Sequence, residues 1–267
     1  MEYLDFAVDV AYAAGDVLRH YASRDKQVEF KGRANLVTVA DRASEELIVR
    51  EIRRRYPDHS ILAEESGPLA VAPSSGGRPN GRWIVDPLDG TTNYAHRFPM
   101  YSVSIGFEMD GVLECGAVFD PVRGEMFRAA RGEGAWLNDA ALAVSEVDRV
   151  SESLLLTGFP YGFRERIDEA LGLFGTFLVH SQAVRRAGSA ALDLCYVASG
   201  RSDGFWELDL KPWDTAAGIL VLAEAGGRVS DFAGRDYAIE GNRILASNGK
   251  IHEEMLGIIA QATCPSS

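Results

Sequence analysis

The sequence predicts a layered α/β protein with two lobes, the first rich in antiparallel strands and the second alternating helices with strands. Three observations favour this fold class: a helical apolar stripe at the N-terminus, hairpin signals in the first half, and strand and helix patterns that alternate in the second. The 267 residues, 46% of them hydrophobic, suffice for a substantial core. We expect a single domain over residues 1–267, with lobes of about 1–145 and 146–267.

The first lobe begins with apolar residues spaced for an amphipathic helix. In chain order we predict that helix, a second helix, a short strand, an exposed loop rich in Gly, Pro and Ser, and another strand: residues 2–22, 41–55, 60–63, 66–82 and 83–85. Two hairpins follow, of which the first has Asp110-Gly111 at its turn. Their strands are predicted at residues 101–107, 112–119, 124–130 and 134–137.

The second lobe alternates the two kinds of pattern. Helices are predicted at residues 164–179, 189–198 and 214–225 and from about 250, and strands at 182–186, 202–207, 228–230 and 244–246. Gly226-Gly227 should end the third of these helices, because glycine readily adopts the left-handed C-cap conformation.

Composition and charge exclude several classes of protein. With 39 acidic and 27 basic residues, the net charge of −12 disfavours nucleic-acid binding, which needs Lys and Arg against phosphates. The sequence has no run of about 18 apolar residues, so we predict no membrane span. The first 22 residues are too acidic for a signal peptide, so we expect a cytoplasmic protein. Three scattered cysteines make structural zinc and a disulfide framework improbable.

The most informative stretch places two carboxylates in a tight turn directly after a strand, in Asp86-Pro87-Leu88-Asp89-Gly90. Pro87 fixes φ, and Gly90 permits a conformation closed to other residues. Carboxylates held rigidly beside a backbone carbonyl suit a hard cation such as Mg²⁺. An ordinary surface turn is the competing interpretation, because Asp, Pro and Gly are common turn formers.

Two further acidic positions bear on that choice. Glu64-Glu65 follows a short strand, where adjacent carboxylates repel each other unless a cation or solvent intervenes. Asp214 lies at the head of an apolar helix, where a carboxylate also caps free amides. Taken singly, each is more typical of a solvated strand end or a helix cap than of a metal site.

Together these stretches resemble the metal-binding signatures of the inositol monophosphatase family of Mg²⁺-dependent, lithium-sensitive phosphatases. The similarity covers nearly the whole chain, in segments 36–41, 64–66, 83–93, 188–191 and 213–218. The resemblance implies a layered α-β-α-β-α sandwich of the sugar-phosphatase type and hydrolysis of inositol monophosphate with two or three Mg²⁺ ions. It also implies a homodimer.

The resemblance assigns roles to individual residues. The matched metal ligands are Glu64, Asp86, the Leu88 carbonyl, Asp89 and Asp214. Thr91 and Glu64 match the pair that orients and deprotonates the attacking water, and Asp41 matches the acid that supports the threonine. The matched substrate contacts are Asp89, Gly90, Thr91, Gly188, Ser189, Ala190 and Glu207. Lys31 lies one residue closer to Asp41 than the comparable lysine of the family's mobile loop.

Several alternatives stay open at this point. The substrate could instead be fructose 1,6-bisphosphate, histidinol phosphate or 3'-phosphoadenosine 5'-phosphate. The segments 202–207 and 211–214 look more like the inositol monophosphatase branch than the nucleotidase branch. A regulatory binding protein that keeps the same fold is the alternative from another class.

Overall fold

The described part of the computed structural model is five layers deep, in the order helices, sheet, helices, sheet, helices. The structure describes residues 2–22, 28–30, 36–69, 81–159 and 166–263. The α-helices in these ranges are α1 (Glu2–Ala22), α2 (Val39–Arg55), α3 (Thr91–Ala95), α4 (Ile167–His180), α5 (Ala190–Ala198), α6 (Pro212–Glu224) and α7 (His252–Thr263). This confirms the layered α-β-α-β-α fold class.

The strands form a two-stranded pair and two larger sheets. The pair is β1 (Val28–Phe30) with β2 (Leu36–Thr38). The larger sheet contains β3 (Ser60–Ala63), β4 (Gly67–Leu69), β5 (Gly81–Asp89), β6 (Ser102–Met109), β7 (Val112–Asp120), β8 (Glu125–Ala130), β9 (Gly134–Leu137) and β10 (Ala140–Ala141). Its order is β10-β9-β8-β7-β6-β5-β3-β4, and only β3 and β5 run parallel.

The smaller sheet contains β11 (Leu154–Thr157), β12 (Ala183–Arg185), β13 (Gly204–Leu208), β14 (Arg228–Ser230) and β15 (Arg243–Ser247). Its order is β12-β11-β13-β15-β14, with β11 parallel to both of its neighbours.

Three hydrophobic cores bind these layers together. The first lies between α1, α2 and one face of the larger sheet. The second surrounds α5 and α6 between the two sheets, and the third joins the smaller sheet to α4 and α7. Strand alternation supplies two cores at once, because Phe205 faces the second core while Trp206 faces the third.

Helix α6 approaches the larger sheet closely at two paired glycines. Gly106 and Gly116 are direct partners across β6 and β7. A Cβ on Gly106 would lie 3.0 Å from the Ala216 Cβ, and one on Gly116 would lie 2.8 Å from the Ala217 Cα. The pair therefore sets how near the helix lies to the sheet.

Several predicted elements have different bounds in the structure. The strand predicted at 83–85 runs over Gly81–Asp89, past Pro87, because an irregularity in the pairing accommodates the missing N–H. The predicted loop 66–82 includes β4, and residues 70–80 lie outside the described residues. Helix α6 starts at Pro212, before the predicted residue 214, since proline suits a first helical turn. Strands β1, β2, β10 and β11 were not predicted.

No described helix is long and apolar enough to cross a membrane. The asymmetry between the sheets agrees with an antiparallel-rich first half and a more mixed second half. The proposed lobe boundary near residue 145 stays a prediction.

Candidate active site

Two of the acidic residues lie side by side where β3 ends beside its parallel neighbour β5. Ala63 at the end of β3 is paired with Val85 in β5, and the Glu64 amide donates to the Val85 carbonyl at 3.2 Å. Glu64 and Asp86 are therefore the next residues along two neighbouring backbones. In a regular sheet such backbones lie about 4.8 Å apart. The local register brings together carboxylates that are 22 positions apart in the sequence.

A bulge places Asp89 near Asp86. In the pairing of β5 with β6, Asp86 lies opposite Ser104 and Asp89 opposite Ser102, so β5 holds one extra residue. The Asp86 carboxylate accepts a hydrogen bond from the Leu88 amide at 2.9 Å. Both aspartates and Leu88 line the same cavity, which has a volume of about 510 Å³.

The short helix α3 presents Thr91 to the same cavity. Gly90 precedes it with φ of +93°, a left-handed conformation that favours glycine. The Thr91 hydroxyl oxygen lies 3.1 Å from Asp41 Oδ1 and 3.1 Å from the Leu88 carbonyl oxygen. One hydroxyl hydrogen can serve only one of these acceptors at a time. When it serves Asp41, the Leu88 carbonyl is left for another partner.

The second half of the chain supplies the opposite wall. Asp89 Oδ2 accepts hydrogen bonds from the Ser189 hydroxyl at 2.6 Å and from the Ala191 amide at 2.8 Å, at the start of α5. Glu207 reaches the cavity from β13. Asp214 reaches it from the first turn of α6, where its carboxylate also accepts from the Lys211 amide at 2.6 Å. Asp214 therefore does cap the helix, and it also faces the cavity.

Burial and mutual repulsion raise the pKa values of these acids. Burial raises the pKa of Asp86 well above its usual range, and the charges of Glu64, Asp89 and Asp214 raise it further. Burial also raises the pKa of Asp89 to about 6, and burial with the Asp89 charge raises that of Asp214 to about 7. Burial is again the main cause of the raised pKa of Glu207. Such a site favours cations and repels a phosphate dianion.

The donor set fits a hard cation in its chemistry. Carboxylates and a backbone carbonyl are the ligands that Mg²⁺ prefers, and none of the described residues that line the cavity is His or Cys. Among the described residues, however, no three His, Cys, Asp or Glu side chains already stand close enough to hold a metal ion. The charges of Glu64, Asp89 and Asp214 nevertheless raise the pKa of Asp86, so these acids interact electrostatically. Carboxylates repel one another, so their separation here is wider than that of metal ligands.

The cavity contains nearly all the residues singled out from the sequence. Asp41 is the exception, because it is fully buried behind Thr91 and does not line the cavity. Lys31 lies outside the described residues. The residues that do line the cavity are Glu64, Asp86, Leu88, Asp89, Gly90, Thr91, Gly188, Ser189, Ala190, Glu207 and Asp214.

The chain matches a known protein family over nearly its whole length. The model of the inositol monophosphatase family matches residues 1–264. The chain belongs to the inositol monophosphatase family.

Similar members of the family carry two kinds of name. An inositol-1-monophosphatase of Synechocystis is 45% identical, covering 97% of this chain and 88% of its own. A Nus factor SuhB of Haemophilus influenzae is 43% identical, covering 96% and 95%. Among solved structures, an inositol monophosphatase from Anabaena has a TM-score of 0.87 at 44% identity, covering 97% of this chain and 96% of that one.

Two cationic residues of this family member were missed from the sequence. Arg186 and Lys211 both line the cavity, although each lies close to a motif that was recognised. A Cβ on Gly188 would lie 2.6 Å from Arg186 Nη1, so the guanidinium packs against the glycine backbone. Both residues could have been predicted to lie near the site from their positions in the sequence. Arg186 precedes Gly188 by two residues, and Lys211 precedes Asp214 by three.

Proposed function

We propose that the protein is a Mg²⁺-dependent phosphomonoesterase that hydrolyses inositol monophosphate to inositol and phosphate. The observation that carries this proposal is the convergence of Leu88 and four acidic residues on one cavity that Thr91 also lines. Family membership supports the reaction class. The proposed cation ligands are Glu64, Asp86, the Leu88 carbonyl, Asp89 and Asp214.

When bound, Mg²⁺ supplies positive charge that makes a water nucleophilic and stabilises the leaving alkoxide. The protein's own groups position that water. If the Thr91 hydroxyl donates to Asp41, its oxygen is left to accept a hydrogen bond from the water, and Glu64 accepts the proton. The Gly90 and Thr91 amides are proposed contacts for the phosphate. No covalent intermediate is required.

The alcohol part of the substrate lies, in this proposal, against the second half of the chain. Gly188, Ser189, Ala190 and Glu207 line that side and offer both donors and acceptors. A polyol has several hydroxyl groups that suit such a mixed surface. The Arg186 guanidinium adds a positive group at the same wall.

Phosphate release from a substrate panel, with and without Mg²⁺, tests the proposal. We expect inositol monophosphate to be hydrolysed faster than fructose 1,6-bisphosphate, histidinol phosphate or 3'-phosphoadenosine 5'-phosphate. Asp86→Asn should abolish most activity, and Asp139→Asn, on an exposed turn, is the matched control. Hydrolysis that is unaffected by EDTA would contradict the metal assignment. The family resemblance also predicts lithium inhibition, which the same assay measures.

A regulatory binding role is the second candidate function. The name Nus factor SuhB, carried by the relative from Haemophilus influenzae, supports it. Chromosomal replacement by the Asp86→Asn variant separates the two roles. If a deletion strain grows more slowly than wild type and the inactive variant restores its growth, binding is the main role. If the variant does not restore growth although it is folded and present at normal levels, hydrolysis is the main role.

A further inference from the structure

One face of helix α2 carries three buried polar side chains that hold the site from behind. Asp41, Ser44 and Glu45 are at positions i, i+3 and i+4, which lie on the same side of a helix. Each is at most 3% exposed. Each one contacts a different segment of the active site, although only Asp41 was singled out from the sequence.

Ser44 holds the bulge in β5. Its hydroxyl donates to the Pro87 carbonyl at 2.9 Å. Pro87 lies within the extra-residue segment between Asp86 and Asp89. A buried carbonyl needs a donor, because an unpaired buried polar group destabilises the fold. Ser44 therefore ties α2 to the backbone between Asp86 and Asp89, which are two of the proposed cation ligands.

Glu45 holds the turn that begins with Glu64. One carboxylate oxygen accepts from the Glu65 amide at 2.8 Å, and the other accepts a short hydrogen bond from the Ser66 hydroxyl. Both oxygens of Glu45 thus bind the turn, so the side chain acts as a clamp on the backbone. Glu64 itself is tied on its other side to β5 through the Val85 carbonyl.

A buried carboxylate among other carboxylates is costly unless it has hydrogen-bond donors. A neutral apolar residue at position 45 would fill the space without adding negative charge beside Glu64 and Glu65. The hydrogen bonds of Asp41, Ser44 and Glu45 instead connect one helix to three segments, which carry Glu64, the pair Asp86 and Asp89, and the water-orienting Thr91.

We propose that Ser44 and Glu45 are positioning residues that set the separation of Glu64 from the Asp86-to-Asp89 segment for cation binding. The inference rests on the proposed function, since it assumes that these carboxylates bind Mg²⁺. It assigns no direct contact with substrate or cation to either residue. Loss of residues that orient metal ligands typically weakens metal affinity about 10- to 100-fold.

Titration calorimetry of the EDTA-treated protein with Mg²⁺ alone is the main test. Glu45→Ala should weaken Mg²⁺ binding at least about tenfold, because the turn loses both hydrogen bonds. Glu45→Gln should recover most of the affinity, since its amide oxygen still accepts from the Glu65 amide. Glu46→Ala, at the exposed neighbouring position on α2, is the matched control for charge and should bind as wild type.

Steady-state kinetics give a second measurement. The Mg²⁺ concentration for half-maximal activity should rise in Glu45→Ala, while kcat at saturating Mg²⁺ recovers much of its wild-type value. Ser44→Ala, a smaller change that keeps the fold if Glu45→Ala does not, should shift the Mg²⁺ dependence in the same direction. A lower melting temperature with unchanged Mg²⁺ affinity in both Ala variants would mean a merely structural role and overturn the inference.

The controls distinguish this failure from that of the proposed function. If wild type and Asp86→Asn bind Mg²⁺ equally, or wild type does not bind it, both the function and the inference are overturned. If wild type binds Mg²⁺ and hydrolyses substrate while Glu45→Ala and Ser44→Ala bind it as tightly, only the positioning role is overturned.

Discussion

The metal-free protein should lose stability as the pH rises from 4 to 7, and Asp89 should account for a defined share of the loss. Burial raises the pKa of Asp89 from 3.8 to about 6 in the folded protein. The folded state therefore holds this proton more tightly than the unfolded chain does. Its contribution to stability is complete below the unfolded pKa and is lost as the pH rises through about 6.

The size of the effect follows from the two pKa values. Their difference corresponds to about 3 kcal/mol of unfolding free energy. In a chain of this length, 1 kcal/mol shifts the melting temperature by about 2 °C. Part of this free energy is already lost at pH 4, so Asp89 alone should lower the melting temperature of the metal-free protein by roughly 5 °C between pH 4 and pH 7.

Thermal denaturation of EDTA-treated wild type and Asp89→Asn across this pH range measures that share. The asparagine cannot ionise, so the Asp89 part of the pH dependence disappears. The part by which the Asp89 charge raises the pKa values of Asp86 and Asp214 disappears with it. The melting temperature of wild type minus that of the variant should fall by roughly 5 °C or more as the pH rises. Asp139→Asn should follow wild type. A difference that stays constant with pH would refute the reasoning.

Three other predictions concern metal, catalysis and assembly. Mg²⁺ at a hundred times its dissociation constant should add about 2.7 kcal/mol of stability, with a larger rise in melting temperature at pH 7 than at pH 5, because binding needs ionised carboxylates. Thr91→Ala should lower kcat about 10²- to 10⁴-fold while calorimetry shows nearly unchanged Mg²⁺ affinity; normal turnover would remove Thr91 from the catalytic residues. Light scattering should show a homodimer, and a particle of 29.0 kDa would contradict this.

Much of the first half could be predicted from local signals. The hairpin at Asp110-Gly111 forms as expected, with φ of +51° and +81°, because these residue types tolerate the left-handed region that the turn requires. Helix α1 agrees with its predicted range for a similar reason, since one apolar face repeats over its full length. Such patterns are complete within a short stretch of chain.

Features that depend on long-range contacts could not be predicted in the same way. Pro87 suggested the end of a strand, yet β5 continues through it because the bulge and the Ser44 hydroxyl satisfy the local backbone. The polar pattern of α2 gave no sign that Glu45 is buried, since its partners lie about 20 residues further along. Family resemblance pointed to the residues that line the cavity, but it did not indicate what holds them.

The paired glycines under helix α6 have a consequence for how this site tolerates variation. Gly106 and Gly116 touch neither the cavity nor its acids, yet they allow α6 to lie against the larger sheet, and the first turn of α6 carries Asp214. A methyl group at either position would act as a wedge beneath the helix and tilt that carboxylate away from Asp86. In a saturation mutagenesis screen, substitutions at these two interior glycines would then abolish activity although neither residue lines the cavity. Fewer residue types would be tolerated there than at the rim of the cavity.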